Sequence, residues 1–265
     1  MSDGLAAATA IVPDPTAPGT FVGDVPAGWD IAGNTNGGVL LALAARSLAL
    51  ATGRPDPVSI TGHFTAPGRP GPHTIVTSIV KSGRRFATGT ATVQNDGRTV
   101  LTAIATLGTL EPTPAPLHVD GGPPELPDPD DCPRTLSDAS PPFLGRIDLR
   151  IHPDDLGWTR GAPTGVPRLR GWFRLLDGEA VDPVALVVAA DAFPPTVFNA
   201  SLPIGWTPTL ELTVHLRARP VPGWLACAVT TRFVTGDLLE VDGEIWDAGG
   251  TLVAQSRQLA LVARV

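Results

Sequence analysis

Thr61-Gly-His63-Phe-Thr-Ala66-Pro-Gly-Arg-Pro70-Gly71 and Thr213-Val-His215-Leu-Arg-Ala218-Arg-Pro-Val-Pro222-Gly223 are the two stretches that decide the fold. Thr, His, Ala, Pro and Gly coincide at one offset, since 213 − 61 and 223 − 71 both equal 152. The same offset lays Asn95-Asp-Gly97-Arg-Thr99-Val-Leu101 over Asp247-Ala-Gly249-Gly-Thr251-Leu-Val253 without a gap. Two β-rich stretches sharing turn chemistry are the alternative, but a constant register over such a length points to internal duplication.

Each copy opens on a helix and continues as strands broken by Pro/Gly turns. Val39-Leu-Leu-Ala-Leu-Ala-Ala-Arg-Ser-Leu-Ala-Leu50 is apolar nearly all round, which predicts a buried helix rather than an amphipathic one. Asn34-Thr-Asn36-Gly37-Gly38 supplies N-cap chemistry before it, and Gly53 with Pro55 ends it. In the second copy Asp182 caps, Pro183 takes the first helical position, Val184 to Ala192 follows, and Pro194-Pro195 must stop the helix. Leu210, Leu212, Val214 and Leu216 alternate with Thr209, Glu211, Thr213 and His215, a strand with two distinct faces. Asn95-Asp-Gly97 and Asp247-Ala-Gly-Gly250 are hairpin signals at equivalent places. One buried helix wrapped by an antiparallel sheet, present twice, predicts an α+β double hotdog. The N-terminal unit is expected over 1–110, a Pro-rich linker over 111–145 and the C-terminal unit over 146–265.

Composition narrows the function. The apolar fraction of 43% supports a real core, and the 29 Gly and 29 Pro fit a turn-rich fold, not a helical bundle. A net charge of −7 with no Lys/Arg run argues against a nucleic-acid or anionic-membrane partner. Lys81 is the sole lysine against eighteen arginines, a compositional bias and not a site. Cys132 and Cys227 are far apart, so neither a disulfide framework nor a zinc cluster is expected. No basic leader and no membrane-length apolar run occurs, so a cytoplasmic protein without a membrane span is expected.

Two positions break the local hydrophobic rule. Asp191 closes Val184-Ala-Leu-Val-Val-Ala-Ala190 and brings a carboxylate to a buried helix, which is costly unless it is paired or used. An exposed Asp at the helix exit is the alternative. Gln258 falls on the face of Leu252, Ala254, Ser256, Ala260 and Val262, where a buried amide needs a polar network; a water-bonded edge residue is the alternative.

The stretch Trp206 to Pro220, the helix ending Val-Ala-Ala-Asp191-Ala-Phe and the strand reaching Gln258 resemble the acyl-CoA thioesterase II (TesB-like) family. Asn36-Gly37-Gly38 and Ser82-Gly83-Arg84-Arg85-Phe86 are similar to that family's first hotdog, and the chain resembles the actinobacterial "thioesterase family protein" branch. The resemblance covers roughly 20–110 and 165–265 and leaves the linker unmatched.

It implies hydrolysis of a fatty acyl-CoA to acid and CoA by a water held on Asp191, Thr209 and Gln258, with Thr213 as fallback for Thr209, and needs no metal or cofactor. Amides at Gly37 and Gly38 are expected to hold the oxyanion, because free NH donors and the helix dipole point there. Arg84 and Arg85 are candidates for CoA phosphates, against solvated strand-end residues. Trp206, with Trp29 and Trp172, is a candidate tunnel wall or core residue. A homo-oligomer, with a dimer among the options, is implied by the resemblance alone.

His63 and His215 read as strand residues kept by duplication, and His152-Pro-Asp154-Asp155 as a turn instead of a metal site. Neither Gly-x-Ser-x-Gly nor a phosphate loop is present. The rivals are a non-catalytic acyl-CoA or acyl-carrier binding protein and, lower, an enoyl-CoA hydratase-like hotdog, whose Asp/His motif is missing. Arg46 and Thr106 stand near the first-half counterparts of Asp191 and Gln258, which predicts one active site at most.

Overall fold

The computed structural model describes residues 4–134, 136, 140–176 and 178–263. Thr135 and residues 137–139 of the linker lie outside them. The first half contains α1 (Leu5–Ala8), β1 (Ile11–Pro13), β2 (Thr20–Val25), β3 (Asp30–Ile31), β4 (Asn34–Thr35) and α2 (Gly37–Thr52). Four long strands follow: β5 (Asp56–Phe64), β6 (Gly71–Ser82), β7 (Ala87–Asn95) and β8 (Arg98–Gly108). The second half runs β9 (Ile147–Ile151), β10 (Arg168–Leu175), α3 (Pro183–Ala189) and β11 (Thr209–Leu216). It closes with β12 (Leu225–Thr230), β13 (Val234–Thr235), β14 (Leu238–Trp246) and β15 (Leu252–Leu261).

All the longer strands join one antiparallel sheet in the order β1-β2-β6-β7-β8-β5-β11-β15-β14-β12-β10-β9, with β13 beside β14. The order is a palindrome of the duplication: each half contributes the same path, and the halves meet at β5 and β11. There Thr61 lies opposite Thr213, flanked by Gly62 opposite Leu212 and Ile60 opposite Val214. Two residues related by the repeat offset of 152 therefore face each other, and their hydroxyls bond at 2.8 Å. A pseudo-twofold axis passes between them. This is the tandem hotdog that the sequence predicts.

The buried helix α2 packs on β5, β6, β7 and β8 and against α3. Val39 through Ala45 and Leu48 are buried, so the all-round apolar pattern does face protein on every side. Asn36 caps its start by accepting from the Val39 amide, and Gly53 ends it in the left-handed region at φ 66°. Helix α3 is shorter than the sequence predicts. It begins at Pro183 under the Asp182 cap but ends at Ala189, and residues 190–191 form a turn in which the Asp191 amide donates to Val188 O at 3.1 Å. The two helices run antiparallel, bringing the N-terminus of α2 to the C-terminal end of α3.

The linker has no regular structure from Glu111 to Asp128, then packs down. Pro127 O accepts from Trp172 Nε1 at 2.9 Å, Cys132 is buried, and Phe143 enters the core edge-on to Trp29 at 6.1 Å between ring centroids. Its C-terminal part is thus a wall of the molecule as well as a connection.

Candidate active site

Asp191 sits where four elements converge. Oδ2 accepts from the Gly38 amide at 2.8 Å and from Asn36 Nδ2 at 3.0 Å, both at the start of α2. Oδ1 accepts from Gln258 Nε2 on β15 at 3.3 Å, and the same Nε2 donates to Thr209 Oγ1 on β11. The carboxylate thus bridges the two halves, one oxygen held by the first and the other by the second. Burial pushes its pKa up from 3.8 to about 6, against the lowering effect of the Gly38 amide, the Asn36 side chain and the Gly37 amide.

A β-bulge places Thr209. Along β11 and β15, Leu212 is opposite Gln258 and Glu211 opposite Leu259, but Thr209 is opposite Ala260, so Leu210 is an inserted residue. Cross-strand partners share a face, and Gln258 and Ala260 are two apart on one strand. Thr209 therefore turns to the Gln258 side, although simple alternation assigns it to the face of Glu211, Thr213 and His215. Thr213, opposite Arg257, stays on the other face and bonds Thr61 and Glu211. The fallback role for Thr213 is excluded by that orientation.

Gly38, in the first turn of α2, has a different use from the one expected. The Gly38 amide is committed to Asp191, so it does not stand free for a substrate oxyanion. A buried carboxylate has taken the positive end of the helix. Glycine is required there by close approach: a Cβ on Gly38 falls 2.9 Å from Val188 Cα, and one on Gly37 falls 3.0 Å from Asp191 Oδ2.

The group opens into a cleft of about 1150 Å³ between the halves. Asn36, Gly37, Asp191, Thr209 and Gln258 line it, together with Phe64, Trp158, Phe193, Phe198 and Trp206. Trp206 is 52% exposed at this wall, whereas Trp29 is in the core and Trp172 bonds the linker. Sequence reasoning missed Trp158, which stacks obliquely on Phe198 at 5.2 Å, and missed the linker residues Phe143 and Leu144 in the wall. Asn36 was legible only as a helix cap; its amide nitrogen, free of the capping task, reaches Asp191.

Arg84 and Arg85 are not in the cleft. They occupy the exposed β6–β7 turn, where Arg54, just beyond the C-terminus of α2, donates to Arg84 O at 2.9 Å. The sixteen residues of α2 put that turn about 24 Å from Asp191, so these arginines are solvated strand-end residues. His63 and His215 are exposed strand residues, and His152 to Asp155 form a turn whose Asp155 pairs with Arg170 at 2.9 Å. No described helix is long and apolar enough to cross a membrane.

The family model of the acyl-CoA thioesterase N-terminal domain matches residues 25–108, and that of the acyl-CoA thioesterase C-terminal domain matches residues 122–262. The chain belongs to the acyl-CoA thioesterase family. A crystal structure of a provisionally assigned thioesterase II from Thermobifida fusca superposes with a TM-score of 0.90 at 35% identity, over 98% of this chain and 97% of that one. A hot dog protein of unknown function from Alicyclobacillus acidocaldarius shares the fold at TM-score 0.83 and 24% identity, over 98% of both chains. An uncharacterised protein of Mycobacterium tuberculosis is 30% identical, covering 91% of this chain and 90% of its own. As a member of this thioesterase family, the protein is a thioester hydrolase.

Proposed function

We propose that the cleft hydrolyses a fatty acyl-CoA by a water held on Asp191 Oδ1, Thr209 and Gln258. The observation that carries this reading is the unequal use of the two carboxylate oxygens. Oδ2 is fixed by a backbone amide and the Asn36 side chain, and Oδ1 is turned to the hydroxyl and the amide across the cleft. A carboxyl titrating near 6 is ionised at neutral pH and is a stronger proton acceptor than an ordinary aspartate.

The bound water adds its oxygen to the thioester carbonyl carbon as Asp191 Oδ1 takes one of its protons. Collapse of the tetrahedral intermediate breaks the C–S bond, and the proton passes to the departing sulfur. Acid and CoA thiol are the products, with the water consumed. The aromatic wall of Phe64, Phe193, Phe198, Trp158 and Trp206 suits an acyl chain. The division of the chain at about residues 110 and 145 and assembly into a homo-oligomer belong to the same proposal.

The test is thiol release from octanoyl- to palmitoyl-CoA by purified protein. Asp191→Asn removes the proton acceptor, and kcat is expected to fall by about 10²–10⁴. An unchanged rate in a folded Asp191→Asn variant rules out the assignment.

A further inference from the structure

Among the described residues of the cleft wall only Arg134, Arg160 and Asp191 carry charge. Asp191 is held on both oxygens, as described. Arg134 is also engaged: Nη2 donates to Ile147 O at 3.0 Å, and Nε lies 3.6 Å from Asp148. Arg160 is different. It is exposed, and no described residue hydrogen-bonds or pairs with its guanidinium, in a protein whose net charge is −7.

Its backbone, in contrast, is held. Arg160 ends the 3-10 helix Gly157–Arg160, which Gly161 closes in the left-handed region at φ 68°. Trp158 anchors that helix on Phe198, and Thr159 Oγ1 donates to Leu156 O at 2.8 Å. A fixed backbone therefore carries an unpaired guanidinium at the solvent side of a cleft whose remaining wall is largely apolar. Such a fork matches a phosphate bidentately, and a cation at the mouth of an acidic protein's cleft draws in an anionic ligand.

We propose that Arg160 grips a phosphate of the CoA moiety and so makes the enzyme selective for CoA thioesters over shorter or less charged carriers. This rests on the hydrolytic reading of the cleft but adds a binding residue that the chemistry of the acyl carbon does not require. Arg160 takes the task for which the sequence offered Arg84 and Arg85 only as candidates, and those two lie at the far end of α2.

The test compares octanoyl-CoA, octanoyl-3′-dephospho-CoA and octanoyl-pantetheine as substrates, and CoA alone as a ligand in calorimetry. Arg160→Ala is expected to raise KM for octanoyl-CoA by about 10- to 100-fold with kcat little changed, and to weaken CoA by the same factor. Octanoyl-pantetheine, which has no phosphate, should be insensitive, and Arg160→Lys should restore part of the loss. An effect that shrinks with the dephospho substrate identifies the 3′-phosphate; one that persists identifies the diphosphate. The double variant Arg84→Ala/Arg85→Ala should match the wild type on all three. Equal effects of Arg160→Ala on octanoyl-CoA and octanoyl-pantetheine, or no effect on either, overturn the proposal. Should the wild type hydrolyse none of the esters, hydrolysis fails, while CoA affinity still decides the role of Arg160.

Discussion

At the scale of residues, the site is a case of stability given up for chemistry. Folding raises the Asp191 carboxyl from 3.8 to about 6, chiefly by burial. The fold thus favours the protonated form: that contribution is complete below pH about 4 and is lost as pH rises through about 6. A shift of about two units corresponds to about 3 kcal/mol. Asp191→Asn, neutral at every pH, should therefore lack the fall in stability that this carboxyl gives the wild type between about pH 4 and pH 7.5. Thermal unfolding across that range checks this, and a variant that keeps the full wild-type pH dependence contradicts it. Asp191 and Gln258 were legible in the sequence because each breaks the hydrophobic pattern of its own segment. Thr209 came from resemblance, since the inserted Leu210 that turns it inward leaves no mark in an alternating string. Arg84 and Arg85 misled because side-chain type carries no information about distance.

At the scale of elements, the contact between α2 and α3 sets the site geometry. Gly38 lets the start of α2 approach Val188 and Asp191 closely enough for its amide to reach Oδ2. Gly38→Ala forces a methyl against Val188 Cα at 2.9 Å, where backbone must move. Such overpacking is expected to cost about 1–3 kcal/mol and to cut kcat by displacing the carboxylate. Wild-type melting and turnover in Gly38→Ala would show that the close approach is dispensable. The position of α2 was legible from its apolar composition and caps. The early end of α3 was not, because Ala190 and Asp191 are themselves compatible with helix, and Pro194-Pro195 bound its end without fixing the last residue. The linker's role as a wall was hidden by its Pro content, which masks the buried Phe143.

At the scale of the molecule, the duplication produces two equivalent helix junctions, and they have diverged. At one, the cap residue Asn36 reaches Asp191 across the pseudo-twofold axis. At the other, the cap residue Asp182 receives Arg46 Nη2 at 3.2 Å, and Glu179 accepts from the Leu5 amide at 2.6 Å. An ion pair and the N-terminal helix close the second junction, and the first opens on the cleft. The repeat offset was readable from sequence. The facing of Thr61 and Thr213 was not, since pairing between copies depends on how two complete sheets meet.

The central claim is that one carboxylate, held between the two halves, accepts a proton from water. Its most direct measurement is kcat/KM for octanoyl-CoA from pH 4.5 to 8.5 in the wild type and in Asp191→Asn. The account predicts a wild-type rate that rises to a plateau with an inflection near pH 6, and a variant whose small residual rate lacks that inflection. A wild-type rate independent of pH through this range, or the same inflection in the variant, would contradict it.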